Sequence, residues 1–234
     1  MTTEIQTMAT EENETSTTTS PTRIVLAEDH TLVRTGIRAL LESAKMQVVG
    51  EASDGLEAVQ LAGEKTPDLM LLDVAMPRLN GIETAREILA NNPNQPIIML
   101  SMHADEQYVY EALRAGVKGY VLKDAAFGEL INAINTVLSG KTYLSSALSD
   151  IVATDYVRRA RGERGPTELE KLSQRERQVL QLITEGHSSA EAAKILHISV
   201  RTVESHRLHL MDKLEIRSIA ELTKFAIRHG VCSV

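Results

Sequence analysis

Between Arg23 and Leu138, short apolar runs alternate with segments whose apolar residues recur at helical spacing. The runs Ile24–Ala27, Val48–Ala52, Leu69–Leu72, Ile97–Leu100 and Tyr120–Leu122 are too short for helices and carry little polar alternation, the pattern of strands buried on both faces. Between and after them lie Leu32–Leu41, Leu56–Ala62, Gly81–Leu89, Glu106–Leu113 and Phe127–Leu138, each with a helical apolar stripe. Five strands alternating with five helices predict a parallel sheet covered by helices on both faces, with right-handed crossovers.

The pattern changes twice. Residues 1–22 hold ten Thr or Ser in the first twenty positions and few large apolar side chains, so a disordered acidic tail is expected there. Residues 146–170 include Arg158-Arg-Ala-Arg-Gly-Glu-Arg-Gly-Pro166, with no sustained apolar face, and read as a linker preceded by a short helix near Leu148–Val157. From residue 171 the chain becomes helical throughout. Ser173 with Glu176, Ser188 with Glu191, and Ser218 with Glu221 repeat the Ser-x-x-Glu capping signature, and Ser199 opens a further helix. Four helices are therefore expected over 171–234, the first ended by Gly186.

Composition adds limits. The longest purely apolar runs cover four residues, far short of the roughly 20 a membrane span needs. No basic start and apolar stretch of a secretory signal opens the chain, and a cytoplasmic location is expected. One cysteine, Cys232, excludes an internal disulfide framework and a cysteine-based zinc finger. The net charge of −7 is uneven: −4 over residues 1–22, −5 over 23–145, and +2 over 146–234, which also holds five of the seven histidines. Such asymmetry hints at an acidic module joined to one that meets a polyanion.

The chemistry gathers where α/β sheets collect ligands, beyond the carboxyl ends of the strands. Glu28 and Asp29 follow the first strand, Asp73 ends the third, Ser101 the fourth and Lys123 the fifth. Three convergent carboxylates repel unless a cation sits among them, and carboxylate oxygens with a backbone carbonyl suit Mg²⁺. A lysine ammonium and a hydroxyl facing the same point would hold further anionic oxygens, such as those of a phosphoryl group. His30 reads as a surface or capping residue at the start of the first helix, and His103 as a loop residue.

The runs Leu26-Ala-Glu28-Asp29-His30, Leu71-Leu-Asp73-Val-Ala-Met-Pro77 with Asn80-Gly81, Ser101, and Gly119-Tyr120-Val-Leu-Lys123 together resemble a response-regulator receiver domain over residues 23–145. The resemblance implies a flavodoxin-like sheet of five strands in the order 2-1-3-4-5. It implies Asp73 as phosphoacceptor, with Glu28, Asp29, Asp73 and the Ala75 carbonyl holding Mg²⁺. Lys123 would contact the phosphoryl group, Ser101 would turn to hydrogen-bond it, and Tyr120 would swing inward as a coupled aromatic switch. Phosphate would come from a sensor histidine kinase.

Residues 171–234 resemble a LuxR-type helix-turn-helix domain through Leu172-Ser-Gln-Arg-Glu-Arg-Gln-Val-Leu180, Glu185-Gly-His-Ser188, Ile198-Ser-Val-Arg-Thr-Val-Glu-Ser-His-Arg207 and Met211-Asp-Lys-Leu214. With the receiver, this places the chain among regulators similar to the NarL/FixJ class. The helix opening at Ser199 would enter the major groove of double-stranded DNA. Val203, Leu210 and Leu214 share its inner face, leaving Arg201, Thr202, Glu204, Ser205, Arg207, Leu208 and Lys213 as candidate DNA contacts. Members of this kind bind paired half-sites as homodimers once phosphorylated, and the unphosphorylated receiver can cover the recognition helix. Some positions depart from the family pattern: Ala190 stands where a phosphate-facing lysine is usual, Ala192 where a core isoleucine is, Glu204 where a DNA-contacting residue is, and Glu215 where a glycine is.

Two other readings compete. An Asp-nucleophile phosphohydrolase needs a second acid two residues after the nucleophile, and that position is Ala75. No enzyme activity is therefore expected beyond slow hydrolysis of the chain's own aspartyl phosphate. A receiver joined to a protein-interaction bundle that never meets DNA is the other alternative, kept open by Ala190 and Glu204.

Overall fold

The structure is a computed structural model and describes residues 20–102, 106–124, 127–148, 152 and 167–232. Most of the expected tail, most of the expected linker and His103 lie outside the described residues. Strands β1 (Arg23–Ala27), β2 (Gln47–Ala52), β3 (Leu69–Asp73), β4 (Ile97–Ser101) and β5 (Gly119–Leu122) alternate with α1 (Thr31–Ser43), α2 (Gly55–Lys65), α3 (Gly81–Asn91), α4 (Glu106–Ala115) and α5 (Phe127–Leu138). All strand pairs are parallel, in the order β2-β1-β3-β4-β5.

Alternate side chains of the strands feed two cores. Ile24, Leu26, Leu69, Leu71, Ile98 and Leu100 pack with Leu41 of α1 and with Leu130, Ala133, Ile134 and Val137 of α5. Val25, Ala27, Met70, Leu72, Ile97 and Met99 face the other way, onto Ala58 of α2, Ala85 and Ile88 of α3, and Val109 and Ala112 of α4. Burial on both faces explains why β3 reads as an unbroken apolar run until Asp73, which projects past the core at the carboxyl edge.

One expectation on the sheet needs correction. A sixth strand, β6 (Tyr143–Leu144), pairs parallel to β5 beyond the five foreseen. Two residues are too few to show a period of 2, so nothing in the local pattern announces it. Residues 146–148 that follow are helical, which starts the short helix two residues earlier than expected.

A single 3₁₀ turn (Leu169–Lys171) then leads into four helices, α6 (Gln174–Thr184), α7 (Ser189–Ile195), α8 (Val200–Lys213) and α9 (Ile219–Arg228). Ser173 and Ser188 each complete a reciprocal capping box with Glu176 and Glu191, while Ser199 and Ser218 cap α8 and α9 through the backbone N–H three residues on. Gly186 ends the turn after α6 at φ +92°, a conformation that favours glycine. The separate core of this half joins Val179, Leu180 and Leu182 of α6, Val203 and Leu210 of α8, and Leu222 and Phe225 of α9. Leu169 belongs to it as well, so the packed unit begins ahead of residue 171. Ala192 is fully buried in this core.

Candidate functional site

Three strand ends meet at one point of the sheet edge. Asp73 at the end of β3 is 3% exposed, and Glu28 just past β1 is fully buried. The Lys123 ammonium, just past β5, lies 2.9 Å from Asp73 Oδ2 and 2.7 Å from Glu28 Oε2. Burial pushes the Asp73 carboxyl up to about 6 against the pull of Lys123, and the Glu28 charge adds to the rise. Burial works against the Lys123 ammonium, but the Asp73 and Glu28 carboxylates outweigh it and hold its pKa above the usual value. Protonation of Lys123 and ionisation of Asp73 therefore support each other.

Glu28, Asp29, His30 and Asp73 each place one ligand atom within 4.8 Å of the others. His30 thus joins the cluster, with Nδ1 2.7 Å from Asp29 Oδ1, and its ring makes no capping bond although the residue occupies the cap position of α1. Three carboxylates against one ammonium leave an excess of negative charge, and this hard oxygen set fits a divalent cation such as Mg²⁺. The backbone N–H of Ala75 donates to the Asp73 carboxylate, and Ala75 lines the cleft above it. Ser101 is buried at the end of β4, and its carbonyl accepts from the Lys123 backbone N–H at 2.7 Å. Tyr120 is fully buried, so its ring already occupies the interior.

The loop after Asp73 is held tightly. Gly81 N–H donates to the Val74 carbonyl at 2.9 Å, and a Cβ on Gly81 would lie 2.0 Å from the Asp73 carbonyl oxygen, so only glycine lets α3 start this close to the strand end. Asn80 caps α3 through Glu83 N–H.

The second candidate surface is α8. Arg201, Thr202, Ser205 and Leu208 are exposed, with Leu208 at 62%, and Val203 and Leu210 are fully buried on the opposite face. Two of the basic candidates are already engaged. Arg207 Nη2 lies 2.6 Å from Glu204 Oε2, and Lys213 Nζ donates to Glu176 Oε2 at 2.7 Å, tying the end of α8 to the start of α6. The exposed stripe shows that, among the described residues, the α/β half does not cover this face.

The receiver instead meets α6, its cap residue Glu185 and the 3₁₀ turn ahead of it. Gln181, fully buried, donates to the Met76 carbonyl at 2.9 Å and accepts from Asn80 N–H at 2.8 Å. Arg78 N–H donates to Glu185 at 3.1 Å, and Arg177 Nε lies 2.6 Å from Glu83 Oε1. Gln178 bonds Glu87, and Arg114 pairs with Glu170. None of these residues carries a local signal of its role, because each looks like an ordinary polar helix or loop position until the two halves are docked.

Comparisons with known proteins agree with this division. The family described as "Response regulator receiver domain" matches residues 24–135, and "Bacterial regulatory proteins, luxR family" matches residues 170–226. The chain is 37% identical over 210 residues to the oxygen regulatory protein NreC of Staphylococcus carnosus (strain TM300), covering 88% of this chain and 97% of that one. A LuxR-family two-component response regulator from Aurantimonas sp. SI85-9A1 superposes with a TM-score of 0.57 at 36% identity, over 59% of this chain and 99% of that one. A structure of two RcsB dimers bound to two parallel DNAs gives 0.54 at 27% identity, over 88% and 97%.

A receiver-type sheet joined to a helix-turn-helix module defines a DNA-binding transcription regulator controlled by phosphorylation, which works with a kinase and is not itself an enzyme. The chain belongs to the two-component response regulators of the NarL/FixJ class. Among the described residues, no helix is long and apolar enough to cross a membrane.

Proposed function

We propose that Asp73 is the phosphoacceptor and that its modification by a sensor histidine kinase controls how α8 meets operator DNA. The observation that carries this reading is the Lys123 ammonium set between Asp73 and Glu28 at 2.9 and 2.7 Å. An Asp73 carboxylate oxygen attacks phosphorus, the P–N bond of the donor's phosphohistidine breaks, and the imidazole nitrogen keeps the electron pair and takes up a proton from water. Lys123 then pairs with the phosphoryl oxygens. Glu28, Asp29, Asp73 and the Ala75 carbonyl would hold Mg²⁺, which when bound neutralises charge on the transferring group. Ser101 hydrogen-bonds the phosphoryl group, and Tyr120 locks the new arrangement from inside. With Ala75 two residues past the acceptor, no acid assists hydrolysis, so the aspartyl phosphate decays slowly.

Arg201, Thr202, Ser205 and Leu208 meet the major groove, with Arg207 and Glu204 as a paired unit and Lys213 at the rim. The RcsB dimers bound to DNA support a homodimer on DNA, which phosphorylation would favour on paired half-sites. We assign residues 23–145 to the receiver and the helical unit that begins at Leu169 to the DNA-binding domain, in the cytoplasm. Incubation of the full chain with acetyl phosphate and Mg²⁺ tests the core of this reading. Wild type should gain one phosphate labile to acid and to alkali, as a carboxyl-phosphate anhydride is, and bind upstream DNA more tightly, and Asp73→Asn should do neither. Undiminished labelling of Asp73→Asn would overturn the assignment.

A further inference from the structure

The short strand β6 ends in an exchange of partners. In a parallel ladder, one residue of the neighbouring strand donates through its N–H and accepts through its carbonyl. Ser145, just past β6, keeps the first half of that pattern, its N–H donating to the Tyr120 carbonyl at 3.1 Å. Its own carbonyl, which a continued ladder would offer to Leu122 N–H, accepts instead from Leu148 N–H at 2.8 Å as the chain turns into a helix. A side chain takes its place: Leu122 N–H donates to the Ser145 hydroxyl oxygen at 3.3 Å.

That hydroxyl has a fixed orientation. Ser145 is 3% exposed, and its one proton is committed to Glu129 Oε1 in the first turn of α5, so its lone pairs are left for Leu122. Burial, and then the Glu129 carboxylate beside it, hold the Tyr143 phenol above its ordinary pKa. Glu129 thus ties α5 to β6 at Tyr143 and again at Ser145. What these bonds steady is the backbone that carries Lys123. Lys123 N–H donates to the Ser101 carbonyl of β4 at 2.7 Å, and one residue earlier Leu122 N–H is held from the other side by Ser145. From this clamped segment the side chain sets its ammonium 2.9 Å from Asp73 and 2.7 Å from Glu28. Four methylenes separate that ammonium from the backbone. A small tilt at Leu122–Lys123 therefore becomes a shift on the order of 1 Å at the nitrogen, and a misplacement of that size can cost about a hundredfold in rate.

We propose that Ser145 is a positioning residue for phosphoryl transfer: its hydroxyl, oriented by Glu129, fixes the Leu122–Lys123 backbone and so aims the Lys123 ammonium at the group arriving on Asp73. The proposal rests on the reading of Asp73 and Lys123 given above and adds a residue that touches neither the phosphoryl group nor the metal ligands.

The full chain and its Ser145→Ala, Glu129→Ala and Ser145→Thr variants are labelled with a series of acetyl phosphate concentrations at saturating Mg²⁺. Circular dichroism melts establish that each is folded, and the rise of melting temperature with Mg²⁺ in the absence of donor gives the metal affinity. Ser145→Ala and Glu129→Ala should each lower the maximal labelling rate about tenfold while Mg²⁺ affinity stays within about twofold of wild type. Ser145→Thr, which keeps the hydroxyl, should recover most of the rate. Where Ser145→Ala does not fold, Glu129→Ala decides. A wild-type maximal rate in the folded variant overturns the proposal. So does an equal loss in Ser145→Thr, which assigns the effect to packing, or a fall in Mg²⁺ affinity in step with the rate, which assigns it to the whole sheet edge. Lys123→Met and Asp73→Asn, run alongside, separate the two ideas. Wild-type labelling of either refutes the underlying site reading, whereas its loss in both with unchanged Ser145→Ala rates refutes only the positioning role.

Discussion

The carboxylate cluster at the sheet edge and the outer face of α8 are both defined by charge, yet they hold it in opposite ways. At the sheet edge, Glu28 and Asp73 are buried with one lysine between them, and the set carries more negative charge than the protein neutralises. On α8 the acid and the base are neighbours on one helix face, Glu204 with Arg207 at 2.6 Å, and of the other candidate contacts there Thr202, Ser205 and Leu208 are short or apolar while Arg201 is charged. The first site is thus unbalanced, and the proposed cation would offset its excess negative charge. In the second the nearest acid and base offset each other, so if α8 meets DNA as proposed, Glu204 weakens the pull of Arg207 on phosphate, and Leu208 and Ser205 are left to meet base edges.

The sharpest way to break the contrast is at Gly81. Gly81→Ala drives a methyl against the Asp73 carbonyl, where only backbone can move, and should cost about 4 kcal/mol or more of receiver stability. Urea unfolding followed by circular dichroism measures it, and an effect under about 1 kcal/mol would show that the loop is not held as described. Next comes Lys123→Met, which leaves Glu28 and Asp73 facing each other without an ammonium. The metal-free protein should lose about 3 kcal/mol, and millimolar Mg²⁺ should restore part of that loss if the cluster holds the cation. On α8 the expected changes are smaller. Glu204→Gln frees the Arg207 guanidinium and should steepen the salt dependence of binding to bulk DNA by about 0.9 in log–log slope. An unchanged slope would mean that Arg207 never reaches a phosphate.

The smallest effect belongs to the Lys213–Glu176 tie. Burial works against the Glu176 carboxylate, but the Lys213 ammonium and the Ser173 cap outweigh it and hold its pKa below the ordinary value. A folded pKa below the unfolded one means that this stabilisation is present above the ordinary glutamate range and is lost as pH falls through the folded value. Lys213→Ala should therefore lower the melting temperature of the helical half at pH 7 by a few degrees, for a loss of about 1 kcal/mol, with the difference from wild type shrinking in acid. A difference that grows in acid would contradict the tie.

Much of this molecule was legible before any packing was considered. Each of the five long strands and its following helix matches an apolar run or stripe within one to three residues, because burial on two faces leaves a run that turn residues then interrupt. The Ser-x-x-Glu signatures placed the helix starts at Ser173, Ser188 and Ser218, since capping is chemistry within four residues. Glu28, Asp29, Asp73, Ser101 and Lys123 could be gathered at one edge because parallel strands put all their carboxyl ends on the same side.

Tertiary structure decided the rest, and in most cases the deciding contact lies far along the chain. β6 exists only because β5 offers a free edge. His30 meets the acidic cluster through Asp29 and the sheet geometry, Lys213 is drawn to Glu176, 37 residues away, and Gln181 finds Met76 and Asn80, more than 100 residues away. Local propensity and periodicity speak for a residue's neighbours within a turn or a strand. The choice of which polar side chains pair across the domain boundary belongs to the docking of two separately packed cores, and the sequence carries no period for that.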